Sequence, residues 1–215
     1  YMDKSLFRDP TSPLTAILHC LPVSHNELKV VTKDDVKDIE HELNNEKILT
    51  ESLDAKKLEL FLQPLFAPST HKLVAAEALT RLPDGCGGYI GPEDFIPIAE
   101  NNGSIDQLDE QILEKTCEFI ASHDLKTIGI NFISVNISPL QCLDHRLPQR
   151  ITSLVDSYGI PHESIRFEIT ETTTIDPSLL QDEMRRMHAD GFSFALDDFG
   201  SGYSNFKEII QLPFD

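Results

Sequence analysis

The sequence has no Cys-x-x-Cys pair, no His-x-x-x-His spacing, no long apolar run and few positive charges, and each shortage removes a class of protein. Cys20, Cys86, Cys117 and Cys142 are scattered through 215 residues. A chain of this size needs no disulfide framework, so free thiols in a reducing compartment are expected. The 8 histidines are equally dispersed, which argues against a zinc site built on them. The apolar run at 14–23 is interrupted by His19 and Pro22 and is too short to span a bilayer, so no membrane segment is expected. With 18 Lys+Arg against 36 Asp+Glu, the formal net charge is −18. Such a surface repels polyanions, which disfavours bulk nucleic acid and anionic lipid as partners. Small phosphorylated ligands stay open, because a bound cation reverses the local field.

What is present is organised around residues 192–203. Phe192, Phe194 and Leu196 alternate with Ser193, Ala195 and Asp197, the period of a buried strand. Asp197 and Asp198 then stand before Gly200 and Gly202, in a turn where backbone could approach a ligand. Two carboxylates at the end of a buried strand are costly without a compensating cation, so a metal site is the first reading to test.

The rest of the chain divides near residue 50. Residues 1–49 read as a linker or arm, the tail of an upstream module, with a helix over 33–43 that has Thr32 as its N-cap and acids in its first turn. A second short helix is expected over 51–57. From there strands over 58–65, 72–82, 127–138, 164–170 and 192–197 alternate with helices over 92–101, 105–123, 150–158 and 178–190, and another helix is expected from Tyr203. Strand-helix alternation at this spacing implies parallel βα units.

The polar residues of this region share a location. Glu77 follows Val74-Ala75-Ala76, Asn136 follows Ser134-Val135, Glu168 follows Arg166-Phe167 and Asp197 follows Ala195-Leu196, each near the C-terminal end of a strand. In a barrel of parallel strands that end carries the active site. Oxygen ligands converging from several strands suit a hard cation, Mg²⁺ or Mn²⁺. Asp198 beside Asp197, and Glu171 after Glu168, supply carboxylates for a second ion, and two ions can stabilise both oxygens of a phosphoryl displacement. Alone, each residue has an ordinary reading: Glu77 as a surface carboxylate, Asn136 as a partner of a loop. Asp198-Phe199-Gly200 could suggest a protein kinase, but no glycine-rich loop or His-Arg-Asp segment precedes it.

Taken in order, these residues resemble the EAL domains, bacterial phosphodiesterases of cyclic di-GMP. The resemblance is carried by Glu77-Ala78-Leu79-Thr80-Arg81, Phe61-Leu62-Gln63-Pro64, the run at 92–100, Val135-Asn136-Ile137-Ser138, Phe167-Glu168-Ile169-Thr170-Glu171 and the run at 197–204, covering about residues 50–215. It implies a TIM-like (β/α) barrel that cleaves cyclic di-GMP to linear pGpG with Mg²⁺ or Mn²⁺. It further implies Glu77, Asn136, Glu168 and Asp197 as ligands of one ion, Asp197 as the bridge to a second, Asp198 as the second ion's ligand, and Glu171 as support. Gln63, Leu79 and Arg81 are implied as substrate contacts, with Arg81 suited to a phosphate. A homodimer coupled through the loop at 199–205, and a cytoplasmic location, belong to the same expectation.

Thr80 and Ser201 are small departures from the family pattern. The larger one is that Asp215 stops short of the family's Lys-x-Asp strand, leaving about five of the eight strands that a barrel of ~250 residues uses. The expectation is therefore an incomplete barrel, poorly active by itself and prone to associate through open edges. The alternative is a non-catalytic module that binds cyclic di-GMP or a protein partner.

Overall fold

The computed structural model describes residues 33–138, 141, 144–170, 177–197 and 212–214. In chain order the elements are α1 (Lys33–Asp54), β1 (Glu59–Phe66), β2 (Leu73–Pro83), β3 (Tyr89–Ile90), α2 (Pro92–Asn102), α3 (Ile105–Ser122), α4 (Leu125–Ile128), β4 (Ile133–Asn136), α5 (Leu147–Ser157), β5 (Ile165–Thr170), α6 (Pro177–Ala189) and β6 (Ser193–Asp197). The sheet runs β1-β2-β4-β5-β6, with the short β3 added to β2. From β2 onward the pairs along this path are parallel, as the alternation predicts, whereas β1 lies antiparallel to β2.

Period-2 patterning sorts the two faces. Ile133, Val135, Ile165, Phe167, Ile169 and Phe194 are all buried, and they share the core with Ile112, Cys117, Ile151, Val155 and Met184 from the helices. Burial of the apolar side chains is the main stabilising term, at roughly 25 cal/mol per Å². Cys117 sits fully inside this layer, and burial first, then nearby Glu114, pushes its thiol up to about 12. It and exposed Cys86 are free, as expected, while Cys20 and Cys142 lie outside the described residues.

Local chemistry accounts for the element ends. Pro92 occupies the first turn of α2 together with Glu93 and Asp94, where a missing N–H costs nothing and negative charge meets the helix dipole. Gly103 ends that helix at φ 78°, in the left-handed region.

Two expectations need correction. The two helices read over 33–43 and 51–57 are one continuous helix, α1. Its C-terminal half is anchored on the domain: Leu49 and Leu53 are buried, and the buried Gln111 side chain donates to the Leu53 carbonyl at 2.7 Å. The strand read over 127–138 is confined to Ile133–Asn136. Asp124 caps the backbone N–H groups of Lys126 and Thr127, and Gly129 at φ 93° closes the resulting turn of helix α4. A side-chain cap there outcompetes the β-propensity of the following residues. The helix expected from Tyr203 lies outside the described residues. Among the described residues no helix is long and apolar enough to cross a membrane.

Candidate active site

The strand registers place the candidate residues on a diagonal. Glu77 pairs with Ser134, and Ser134 with Arg166, forming one row across β2, β4 and β5. Asn136 pairs with Glu168, one side-chain repeat further along. Asp197 pairs with Thr170, one repeat further again. Two-residue spacing puts Glu77, Ser134, Asn136, Arg166, Glu168 and Asp197 on one face, opposite the one on which Ala76, Val135 and Phe167 join the helical core. In a barrel the strands tilt against the axis, so residues at one height shift along the chain from strand to strand. The diagonal runs in the sense of that shift, carrying Glu77, Asn136, Glu168 and Asp197 along one face toward one mouth of the sheet.

The mouth holds together unevenly. The Asn136 amide donates from Nδ2 to Glu77 Oε1 at 3.2 Å, joining β2 to β4. Glu168, half-buried, has its carboxyl raised above the ordinary carboxylate range, first by desolvation. The Ser134 hydroxyl opposes that rise, while the like charges of Glu77 and Asp197 add to it and Arg166 opposes it. Ser134 Oγ is fully buried and has no partner in full hydrogen-bond geometry, so its help to Glu168 is a close approach rather than a formed bond. Arg166, which the sequence places on the face of Glu168 without a role, is the cation beside it. Its Nε donates to Ser193 Oγ at 3.2 Å, and its guanidinium lies 3.9 Å from the Phe132 ring centroid. The alternation of β5, which puts Arg166 on the same face as Glu168, is what signals it.

Among the described residues no three His, Cys, Asp or Glu side chains are gathered tightly enough to enclose an ion. Glu77 touches Asn136, and Glu168 feels Glu77 and Asp197 through space. The donor set still fits a hard divalent cation, being all oxygen, acidic and self-repelling. Glu171 and Asp198 lie outside the described residues, as does the loop at 199–205.

The substrate candidates line the antiparallel β1–β2 pair. Gln63 is exposed and stands opposite Glu77, Leu79 opposite Phe61, and Arg81 opposite Glu59. Arg81 donates from Nη1 to its neighbour's Thr80 carbonyl at 2.8 Å, and its guanidinium sits 5.3 Å from the Phe61 ring centroid. Phe61 meets Tyr89 of β3 edge to face, with centroids 5.2 Å apart. Behind β4, the Ser138 backbone N–H donates to Asp109 Oδ2 at 3.5 Å, and burial pushes that carboxyl up to about 8.

Comparison with known proteins gives this geometry its class. The sequence profile described as the EAL domain matches residues 46–215. The chain belongs to the EAL domain family, and its fold is the TIM-like barrel of those domains, with a partial sheet. It is 31% identical over 183 residues to the cyclic di-GMP phosphodiesterase NbdA of Pseudomonas aeruginosa, covering 81% of this chain and 22% of that protein. It is 29% identical over 201 residues to the biofilm architecture maintenance protein MbaA of Vibrio cholerae, covering 93% of this chain and 25% of that one. The chain thus spans about a third or less of the length of the curated relatives it matches. Among solved structures, the PaMucR phosphodiesterase in complex with c-di-GMP superposes with a TM-score of 0.64 at 29% identity, over 74% of this chain and 67% of that one.

Proposed function

We propose that these residues are the metal and substrate platform of a phosphodiesterase that hydrolyses cyclic di-GMP to linear pGpG. The observation that carries the reading is the diagonal of Glu77, Asn136, Glu168 and Asp197 at one mouth of an EAL-type sheet. Glu77, Asn136, Glu168 and Asp197 would hold one Mg²⁺ or Mn²⁺ ion, and Asp197 with Asp198 a second, with Glu171 in support. Bound there, such ions supply charge neutralisation at phosphorus and lower the pKa of water.

The chain's own residues do the positioning. Arg81, stacked on Phe61, presents a fixed cation to a phosphate at the far end of the mouth from Asp197. Gln63, exposed opposite Glu77, offers a donor and an acceptor to the substrate. The Asn136 amide fixes the rotamer of Glu77, so that its other oxygen is free to bind. Hydrolysis is in-line attack of water on phosphorus with departure of the 3′ oxygen, and orientation of the diester contributes much of the rate. We assign residues 1–49 to an arm and 50–215 to the catalytic domain, in a cytoplasmic protein that acts as a homodimer. α1 crosses that division without a break.

Incubation with cyclic di-GMP and Mg²⁺ or Mn²⁺, followed by chromatography of the nucleotides, tests the proposal. pGpG is expected from the domain with its barrel completed and none from the Glu77→Ala variant of that protein. Binding of cyclic di-GMP without turnover would assign the non-catalytic binding role instead, and full activity in Glu77→Ala would sink the catalytic one.

A further inference from the structure

Two of the large apolar side chains that remain open to solvent stand together at the candidate mouth. Phe61 is 41% exposed and Tyr89 46%, and their rings meet at 76°. Their placement is built. The β1–β2 register puts Phe61 opposite Leu79 and Glu59 opposite Arg81, and β3 brings Tyr89 opposite Pro83. The Tyr89 hydroxyl donates to Glu59 Oε2 at 2.7 Å, which fixes the direction of the ring. The turn leading to β3 is tied by Asp84, whose Oδ1 accepts from the Cys86 and Gly88 N–H groups at 2.7 and 2.8 Å.

Exposed aromatics cost free energy in water unless a ligand covers them, and a rigid ring beside an arginine is the arrangement on which nucleobases stack. We infer that Phe61 and Tyr89 form a stacking step for a purine base of the cyclic dinucleotide, next to the phosphate contact at Arg81. The inference rests on the proposed substrate and adds to it how one nucleoside is held. Glu59 and Asp84 are positioning residues: the first aims the Tyr89 ring, the second sets the turn that delivers it. Stacking reads the face of a base and not its edge, so the step supplies affinity more than choice among bases.

The test is a titration of the protein with cyclic di-GMP, following both affinity and tyrosine emission. The sequence has no tryptophan and 4 tyrosines, so quenching by a stacked purine is read without an indole background. Phe61→Leu and Tyr89→Leu are each expected to weaken binding roughly ten-fold or more, and Tyr89→Leu to abolish the quench. Tyr89→Phe, which keeps the ring and loses only the hydroxyl, is expected to recover most of the affinity. At saturating substrate kcat should change far less than KM in both leucine variants, a split that general misfolding would not give. Affinity in both leucine variants within about two-fold of the parent would overturn the stacking step while leaving the substrate assignment intact. No binding of cyclic di-GMP by the parent protein would overturn the substrate assignment and this step with it.

Discussion

On the helix-covered face of the sheet, Ile133, Ile165 and Phe194 are fully buried in the apolar core, while on the other face Glu168, Asp197 and Asn136 crowd like charges and an amide into a half-open mouth. The same strands supply both sets, one residue apart. The first face lowers the free energy of folding; the second raises it, as the elevated carboxyl of Glu168 records. Stability and chemistry are thereby separated by the direction of a side chain, and a substitution should report on one or the other.

The largest expected effect is on the polar face. Glu77→Ala should remove cyclic di-GMP hydrolysis without lowering the melting temperature, since Glu77 is half-buried and its partner Asn136 remains exposed to water. A loss of activity accompanied by an equal loss of fold would break the separation. Next comes the apolar face: Phe167→Ala should cost about 3–5 kcal/mol by leaving a cavity beside Phe192 and Phe194. Urea denaturation measures it, and a cost below about 1 kcal/mol would mean that the layer repacks freely.

Gln111→Leu should cost about 0.5–1.5 kcal/mol, because the Leu53 carbonyl loses one of its two donors and keeps the Lys56 N–H at 3.2 Å. That variant also tests whether the end of α1 belongs to the domain, since the same change on a loosely attached arm would cost nothing. The smallest effect is a pH dependence. Burial alone would lower the pKa of His162, but the Asp190 carbonyl at 2.6 Å and the Asp156 carboxylate at 2.8 Å outweigh it and raise the value. A raised value means that the folded state binds the proton more tightly. The contribution is therefore complete below the unfolded value of about 6.5 and disappears as pH climbs through the higher folded one. Thermal melts from pH 6 to 9 should show that decline in the parent and a flatter profile in His162→Ala.

The candidate site was legible where a period carried it. Alternation alone put Ser134 with Asn136, Arg166 with Glu168 and Ala195 with Asp197, and the registers agree. Partners distant along the chain were not legible. Phe61 meets Tyr89 only because the Asp84 turn folds β3 back on β2, and no local pattern announces that contact. The antiparallel β1 was hidden for a similar reason, since a strand's own residues do not encode its direction relative to its neighbour. Around residue 127 the error was different in kind: one capping carboxylate, Asp124, overrode the propensity of the residues after it.

The diagonal of Glu77, Asn136, Glu168 and Asp197 also governs how the sequence can change length. Removing one residue from within β5 would turn Glu168 toward the helices and bring Phe167 or Ile169 into the mouth, exchanging core and chemistry in a single step. Gains and losses of residues are tolerable in the connections, such as the one between β1 and β2 at 67–72, and ruinous inside the strands. The length between β4 and β5 is thus free to change, whereas the spacing inside each strand is fixed by the two faces it serves.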